Sequence, residues 1–142
     1  GLEDRQPQRL VLAGREPLRA DLRLFADPRP AIALAPRGTS LPEGVIAWPL
    51  PAANDLVGAL QVIAQHGISR LLVEPGARLA AALLAARLVD RFHLLRSARI
   101  VGAGGVPAAS HGRFETLLEQ AGLVPVDHAA LADDKLTTFE RA

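Results

Sequence analysis

Residues 67–105 read GISRLLVEPGARLAAALLAARLVDRFHLLRSARIVGAGG. The run ISRLLVE (68–74) carries Leu71, Leu72 and Val73 in succession, the pattern of a strand buried on both faces. Pro75-Gly76 turns the chain, and a helix follows over 77–87 with Leu79, Leu83 and Ala86 on one face. Residues 92–101 (FHLLRSARIV) return as a long strand, or a strand bent at Ser97, and run into Gly102-Ala103-Gly104-Gly105. Just upstream, VIAW (45–48) is a strand ended by Pro49 and Pro51. A helix follows it, with Leu56, Val57, Leu60, Ile63 and Ala64 as one apolar stripe. Asn54 is placed to cap its start, and Gly67 to close it, because glycine accepts positive φ without a Cβ clash. Strand, helix, strand, helix, strand from Val45 to Val101 is the rhythm of an α/β domain. Right-handed crossovers are expected between its parallel strands.

Outside this stretch the pattern is shorter-ranged. Residues 1–8 are polar and expected to be loose. RLVLA (9–13), closed by Gly14, and AIAL (31–34) read as strands. Between them lies a loop with one turn of helix, interrupted by Pro17. Pro36-Arg37-Gly38-Thr39-Ser40 is turn chemistry, extended by Pro42 and Gly44. After Pro107 comes a polar loop and a short helix over 113–120. Residues 123–127 and 135–141 are expected to pair as antiparallel strands joined through 128–134. Neither an internal repeat nor a low-complexity linker interrupts the chain, so residues 1–142 read as a single domain.

The chain has 142 residues, about one ordinary domain. With 49% hydrophobic and 22% charged residues it has globular composition, which excludes intrinsic disorder. Sixteen basic residues against 15 acidic ones give a net charge of +1, so a basic stripe for nucleic acid or an anionic membrane is unsupported. Every base but Lys135 is arginine, which reads as coding bias before it reads as a phosphate-binding device. The absence of cysteine excludes disulfides, thiolate metal sites and cysteine nucleophiles. Methionine is absent even at position 1, so Gly1 reads as a cut point and the chain as a piece of something longer. No apolar run reaches the roughly 18 residues of a membrane span, and no signal peptide is visible; a cytoplasmic protein is expected.

The best local site is Leu71-Leu72-Val73-Glu74-Pro75-Gly76-Ala77. A strand ends at an acid, a glycine allows close approach, and a helix begins, which is where ligands sit in open α/β sheets. The free N–H groups of Gly76 to Leu79 and the positive helix end suit a phosphate, and Arg78 adds charge. The alternative reading is a tight turn with Glu74 as a first-turn acid favoured by the helix dipole. Gly102-Ala103-Gly104-Gly105-Val106-Pro107 fails as a dinucleotide-binding pattern, because Pro107 stands where the last glycine is needed. His66, His93, His111 and His128 lack metal-ligand spacing. Ser40, Ser69, Ser97 and Ser110 lack the G-x-S-x-G context of a nucleophile. Trp48 reads as core and Asp133-Asp134 as turn residues.

The stretch 67–105 resembles the C-terminal reductase domain of the bifunctional riboflavin-biosynthesis deaminase-reductase (RibD type), most specifically over 67–90. That family carries GI-x-x-(L/V)-LVE-(G/A)-G-x-x-L-x-x-x-LL-x-x-x-LVDE, followed by a strand and a Gly-rich turn. Residues 7–15 are similar to its P-x-RVVLDSR strand, and 45–53 to the strand and loop before its long helix. Asp133-Asp134-Lys135-Leu136 with Arg141 is similar to its closing hairpin. The resemblance implies a dihydrofolate-reductase-like fold, α/β, with a three-layer mixed sheet flanked by helices and incomplete on its N-terminal side. The implied activity is NADPH-dependent reduction of the ribosyl group of 5-amino-6-(5-phosphoribosylamino)uracil to ribityl, with a small molecule as partner, no metal and no nucleic acid. Carried over position by position, the substrate-facing acid falls on Glu74. The cofactor-binding positions fall on Gly14, Arg15, Gly76, Ala77, Arg78, Leu79, Ala80, Ala81 and Ala82.

Some positions depart from the family. Its opening strand and helix have no match here, LDSR has become Leu12-Ala13-Gly14-Arg15, Pro75 replaces a Gly or Ala and removes one N–H donor, and Arg91 reverses a charge. Two functions therefore stand: an NADPH-dependent reductase that is inactive as this chain alone, or a degenerate reductase-like scaffold without catalysis. The resemblance also implies a strand inside the sheet that this chain lacks. Unpaired edges invite pairing with a second chain, so a homodimer is expected.

Overall fold

The run Ala31-Ile32-Ala33-Leu34-Ala35 is apolar at every position, a pattern suited to a strand covered on both faces. It forms the middle of a parallel sheet, and all five residues are buried. The computed structural model describes residues 6–14, 17–102, 104–109 and 112–142. The chain splits into two compact units, 1–71 and 72–142, each built on one three-stranded sheet.

In the first unit β1 (Leu10–Leu12), β2 (Ile32–Pro36) and β3 (Ile46–Leu50) lie in that order, all parallel. Leu10 is in register with Ile32, and Leu34 with Trp48. The β1–β2 connection holds one 3-10 turn, Arg23–Phe25, as its composition suggested. Arg9 ties that connection down by donating to the Leu24 carbonyl at 2.6 Å and to the Arg29 carbonyl, and it pairs with Asp27 at 3.1 Å. Helix α1 (Leu56–Gln65) packs against β3. Leu34, Leu50, Ala59 and Ile63 form the core, with Trp48 and Ile68 packed against it. Trp48 also stacks on His66 with ring centroids 3.6 Å apart.

The cap of α1 differs from expectation by one residue. Asp55, not Asn54, accepts from the Gly58 N–H at 2.8 Å, and Asn54 takes a positive φ of 61° instead. Position 58 is glycine because an added Cβ would lie 2.2 Å from the Asp55 carboxylate. The buried face centres on Ala59 and Ile63; Val57 and Ala64 of the expected stripe are exposed. At about 100° per residue those two positions fall more than 90° from that centre. Gly67 closes the helix with φ +80°, as expected.

In the second unit α2 (Ala77–Ala85) precedes β4 (Arg91–Arg96), then come α3 (Phe114–Gln120), β5 (Leu123–Leu131) and β6 (Asp134–Arg141). The sheet order is β4-β6-β5, antiparallel throughout. Leu84, Leu118, Ala121, Leu123 and Phe139 form its core, with Phe92 and Leu94 packed against it. Arg141 clamps the connection after α2, donating to the Arg87 and Val89 carbonyls at 2.6 and 2.8 Å. Helix α2 stops at Ala85, short of the expected Arg87, which takes φ +55°. Ala86 is exposed; the buried face is Ala80, Ala81, Leu83 and Leu84.

Three expectations are overturned. Residues 68–74 form no strand, and Leu71, Leu72 and Val73 are 38%, 81% and 41% exposed. A strand exists only through its ladder, and among the described residues none pairs with this segment. The strands between Val45 and Val101 accordingly lie in two sheets, one parallel and one antiparallel, within the expected mixed α/β architecture. The strand after α2 ends at Arg96, before Ser97, leaving Ile100 and Val101 exposed. The last hairpin is tighter than expected: the ladder reaches Leu131 opposite Asp134, so only Ala132 and Asp133 connect the strands. Pairing there overrides the weak β-propensity of Ala and Asp.

The cap geometry predicts that Asp55→Ala costs about 0.5–2 kcal/mol of stability, read by urea or thermal denaturation. An unchanged midpoint would show that the Gly58 N–H is served equally well by water.

Candidate functional site

The turn between 68–74 and α2 is built by local chemistry. Pro75 lacks an N–H and fixes φ, and Gly76 caps α2 in extended geometry, with φ −71° and ψ 168°. The first helical bond runs from the Ala80 N–H to the Gly76 carbonyl at 3.0 Å. No side chain caps the helix. The N–H groups of Gly76, Ala77, Arg78 and Leu79 have no partner among the described residues. They are the four orphan donors of a helix start, and the helix dipole adds positive potential there. A Cβ built on Gly76 would meet nothing within 4 Å, so the approach to these donors is open.

Glu74, Gly76, Arg78 and Ala82 are exposed, and Ala77 and Leu79 are half-buried. Ala80 and Ala81 are buried, their methyls given to the core. The structure thus keeps Glu74 through Leu79 together in one turn, with Glu74, Gly76 and Arg78 exposed. Such a turn can hold an anion on its N–H groups while an acid stands two residues before the helix cap.

Gly14 belongs to the first unit, exposed just past the carboxyl end of β1, where the Ala13 N–H still bonds the Leu34 carbonyl at 2.9 Å. Arg15 lies outside the described residues, as do Ser110 and His111. The first unit also holds a feature that sequence reading missed. A hollow of roughly 340 Å³ lies at the carboxyl ends of β2 and β3, lined by Arg37, Pro49, Leu50, Pro51 and the α1 residues Gln61 and Gln65 among others. Ligands of open parallel sheets sit outside the carboxyl ends of the strands, and Arg37 is the charged side chain of the hollow. The available signal was the position of Pro36–Ser40 directly after an all-apolar strand; its composition spoke only of a turn.

Among the described residues no cluster of His, Asp or Glu suits a metal ion. His93 and His128 instead meet threonine hydroxyls, at 3.1 Å from Thr138 and 3.2 Å from Thr137. Away from these features, the Arg19 guanidinium holds the Asp21 carboxyl below the ordinary carboxylate range and is itself raised in return. Both groups are fully exposed, so the pair makes no case for a site.

If the α2 turn binds anions, crystals soaked in sulfate show oxygens against the Gly76–Leu79 amides, and an empty turn at saturating sulfate would count against it. Gly76→Val should weaken anion binding while costing no more than about 1 kcal/mol of stability, since the site has room for the side chain. Equal losses in both would mark the turn as purely structural.

With this geometry in view, comparisons with known proteins fall in one direction. The family model described as RibD C-terminal domain matches residues 1–132. Among solved structures, Acinetobacter baumannii RibD matches in two crystal forms with TM-scores of 0.72 and 0.71, each at 23% identity. A Thermotoga maritima diaminohydroxyphosphoribosylaminopyrimidine deaminase/5-amino-6-(5-phosphoribosylamino)uracil reductase matches with a TM-score of 0.73 at 18% identity. Each match covers 96% of this chain but only 38% of the longer one. At these identities the structures establish the fold, a mixed α/β arrangement like that of the RibD reductase portion. Among curated proteins none matches the chain. The match over residues 1–132 runs through both units, and the chain belongs to the RibD C-terminal domain family, the reductase family of riboflavin biosynthesis.

Proposed function

We propose that this chain is a single reductase-like domain that binds NADPH and serves the reduction of the ribosyl group of 5-amino-6-(5-phosphoribosylamino)uracil to ribityl. The observation that carries the reading is the turn from Glu74 to Leu79. It joins an exposed carboxylate, four unpartnered amides and an open glycine at the position where the family motif has them. Gly76, Ala77, Arg78 and Leu79 hold cofactor phosphate oxygens through backbone N–H groups and one guanidinium. Ala80, Ala81 and Ala82 form the small-residue first turns of the helix that carries those amides. The resemblance likewise assigns cofactor-binding positions to Gly14 and Arg15. Glu74 hydrogen-bonds the substrate. When bound, the cofactor supplies the hydride; the protein's part is to hold the nicotinamide and the ribose carbon in contact. The protein works in the cytoplasm as a homodimer. Among the described residues no helix is long and apolar enough to cross a membrane.

A second reading, a reductase-like scaffold without catalysis, is favoured by Pro75 at the turn and by Leu71–Val73 lying outside any ladder. NADPH fluorescence titration separates the two: the reductase reading expects saturable binding that Gly76→Val weakens, and no binding at all supports the scaffold.

Turnover is a separate question. The chain spans 38% of the length of the solved relatives, and positioning of two reactants is worth roughly 7–11 kcal/mol in favourable cases. The purified 142-residue chain should therefore bind cofactor yet reduce the pyrimidine slowly or not at all. Robust turnover by this chain would overturn that expectation.

A further inference from the structure

We propose that the hollow at the carboxyl ends of β2 and β3 binds a nucleoside monophosphate group, with Arg37 on the phosphate and the Gln61 and Gln65 carboxamides on the base. Every described lining residue belongs to the first unit. The inference goes beyond the cofactor reading of the α2 turn and does not rest on it.

Local structure sets each wall. Strands β2 and β3 end side by side, with Pro36 in register with Leu50. The chain leaves β2 through a tight turn over 36–39. The Thr39 N–H and hydroxyl both donate to the Pro36 carbonyl, at 3.2 and 2.8 Å. Gly38 takes φ +82° in the third place of that turn, a conformation glycine adopts without strain. Arg37 therefore stands on a fixed corner at the rim. Helix α1 presents Gln61 and Gln65 to the same hollow, four residues apart and so on one helix face. Pro49 and Pro51 flank the buried Leu50 and supply the apolar surface. Ligands of parallel sheets sit at this end of the strands.

The chemistry of the lining selects the ligand. Neither the Arg37 guanidinium nor the Gln61 and Gln65 carboxamides have a partner among the described residues. Arg37 is the charged side chain of the hollow, so an anion is favoured there. Asp55, the acid that caps α1, has its carboxylate engaged by the Gly58 N–H at 2.8 Å. A guanidinium grips phosphate oxygens in pairs. A carboxamide offers a donor and an acceptor together, the combination that glutamine uses to pair with the edge of adenine. Inorganic phosphate alone would leave both carboxamides and the proline walls unused. The roughly 340 Å³ of the hollow lies at the small end of small-molecule sites, which run to about 1,000 Å³, and so suits a mononucleotide and not a polymer.

Nuclear magnetic resonance of the ¹⁵N-labelled full chain reads the site directly, through the side-chain amides of Gln61 and Gln65 and the backbone amides of Arg37 to Thr39. The probes are 5′-AMP and 2′-AMP, with adenosine and inorganic phosphate as their halves. Saturable shifts are expected with at least one nucleotide, with a Kd of about 1 mM or tighter, and binding about tenfold weaker for each half. Arg37→Ala should weaken the nucleotide about tenfold and leave adenosine unchanged, while Gln61→Ala with Gln65→Ala should weaken both. All three side chains are exposed, and a thermal melt checks each fold. Should a variant unfold, the comparison of nucleotide with adenosine on the wild type decides by itself. The two nucleotides separate the sources of the group. Tighter 2′-AMP, with selectivity for NADPH over NADH lost in Arg37→Ala, assigns it to the phosphorylated adenosine of the cofactor. Tighter 5′-AMP, with that selectivity unchanged, assigns it to a free mononucleotide, and either result supports the site. Silence of these signals with both nucleotides at about 10 mM, or Arg37→Ala that binds as the wild type does, overturns it. Gly76→Val, in the other unit, keeps the readings apart: it tests the α2 turn alone, and nucleotide binding at the hollow should survive it.

Discussion

Strand β2 is hydrogen-bonded along both edges, to Leu10–Leu12 on one side and Ile46–Leu50 on the other; β6 holds the same place between Arg91–Arg96 and Leu123–Leu131. Each unit depends on its middle strand, because a buried backbone N–H or C=O without a partner costs about 1–3 kcal/mol. Those two strands also carry side chains that define the cores, Leu34 in one and Phe139 in the other. Helix α1 rests on the first sheet through Ala59 and Ile63. Helices α2 and α3 meet the second through Leu84 and Leu118. Arg9 and Arg141 each tie a connection back by donating to two backbone carbonyls, one in each unit.

Sequence pattern reached those parts of the fold whose determinants are local. The all-apolar AIAL run and the positive φ at Gly67 are properties of short windows and are found where the pattern put them; the stripe of α1 is found in part, with Ile63 buried and Val57 and Ala64 exposed. Asn54 was misread as the cap because both Asn54 and Asp55 have suitable side chains; the choice falls to the one whose carboxylate reaches the Gly58 N–H. The run ISRLLVE failed for a different reason. Its composition favours a strand, but a ladder needs a neighbour, and nothing in a seven-residue window says whether one stands beside it. The reverse error occurred at His128–Leu131, where weak β-formers are held in place by Asp134–Thr137 opposite them.

The candidate site divides the same way. The turn from Glu74 to Leu79 is legible because a strand-like run, Pro-Gly and a helix start are contiguous, and the role proposed for it rests on the open amides that every helix start possesses. The burial of Ala80 and Ala81 could not be read from the motif, since it depends on which side of α2 meets Leu118 and Phe139. Arg37 was invisible for a stronger reason. Its significance comes from sharing the carboxyl ends of β2 and β3 with Gln61 and Gln65, residues more than twenty positions away. A one-dimensional pattern marks turns, and only the sheet order says which turns share an edge.

Exposed apolar residues occur on both Leu71–Val73 and the β4-β6-β5 sheet, yet they carry different physical content. Leu72 is 81% exposed on a segment with no ladder, so nothing fixes the direction in which its neighbours point or what would lie against them. Leu95 and Leu131 stand on strands whose register with β6 is set by backbone hydrogen bonds on both sides. Their spacing relative to His93 and Asp127 is therefore rigid, and ordering them on association costs little beyond side-chain entropy. An apolar run on an unpaired segment would first have to be ordered, at about 1–2 kcal/mol for each backbone residue fixed. Pre-organisation by the ladder, rather than hydrophobicity alone, distinguishes apolar side chains held at fixed spacing from those that are merely uncovered.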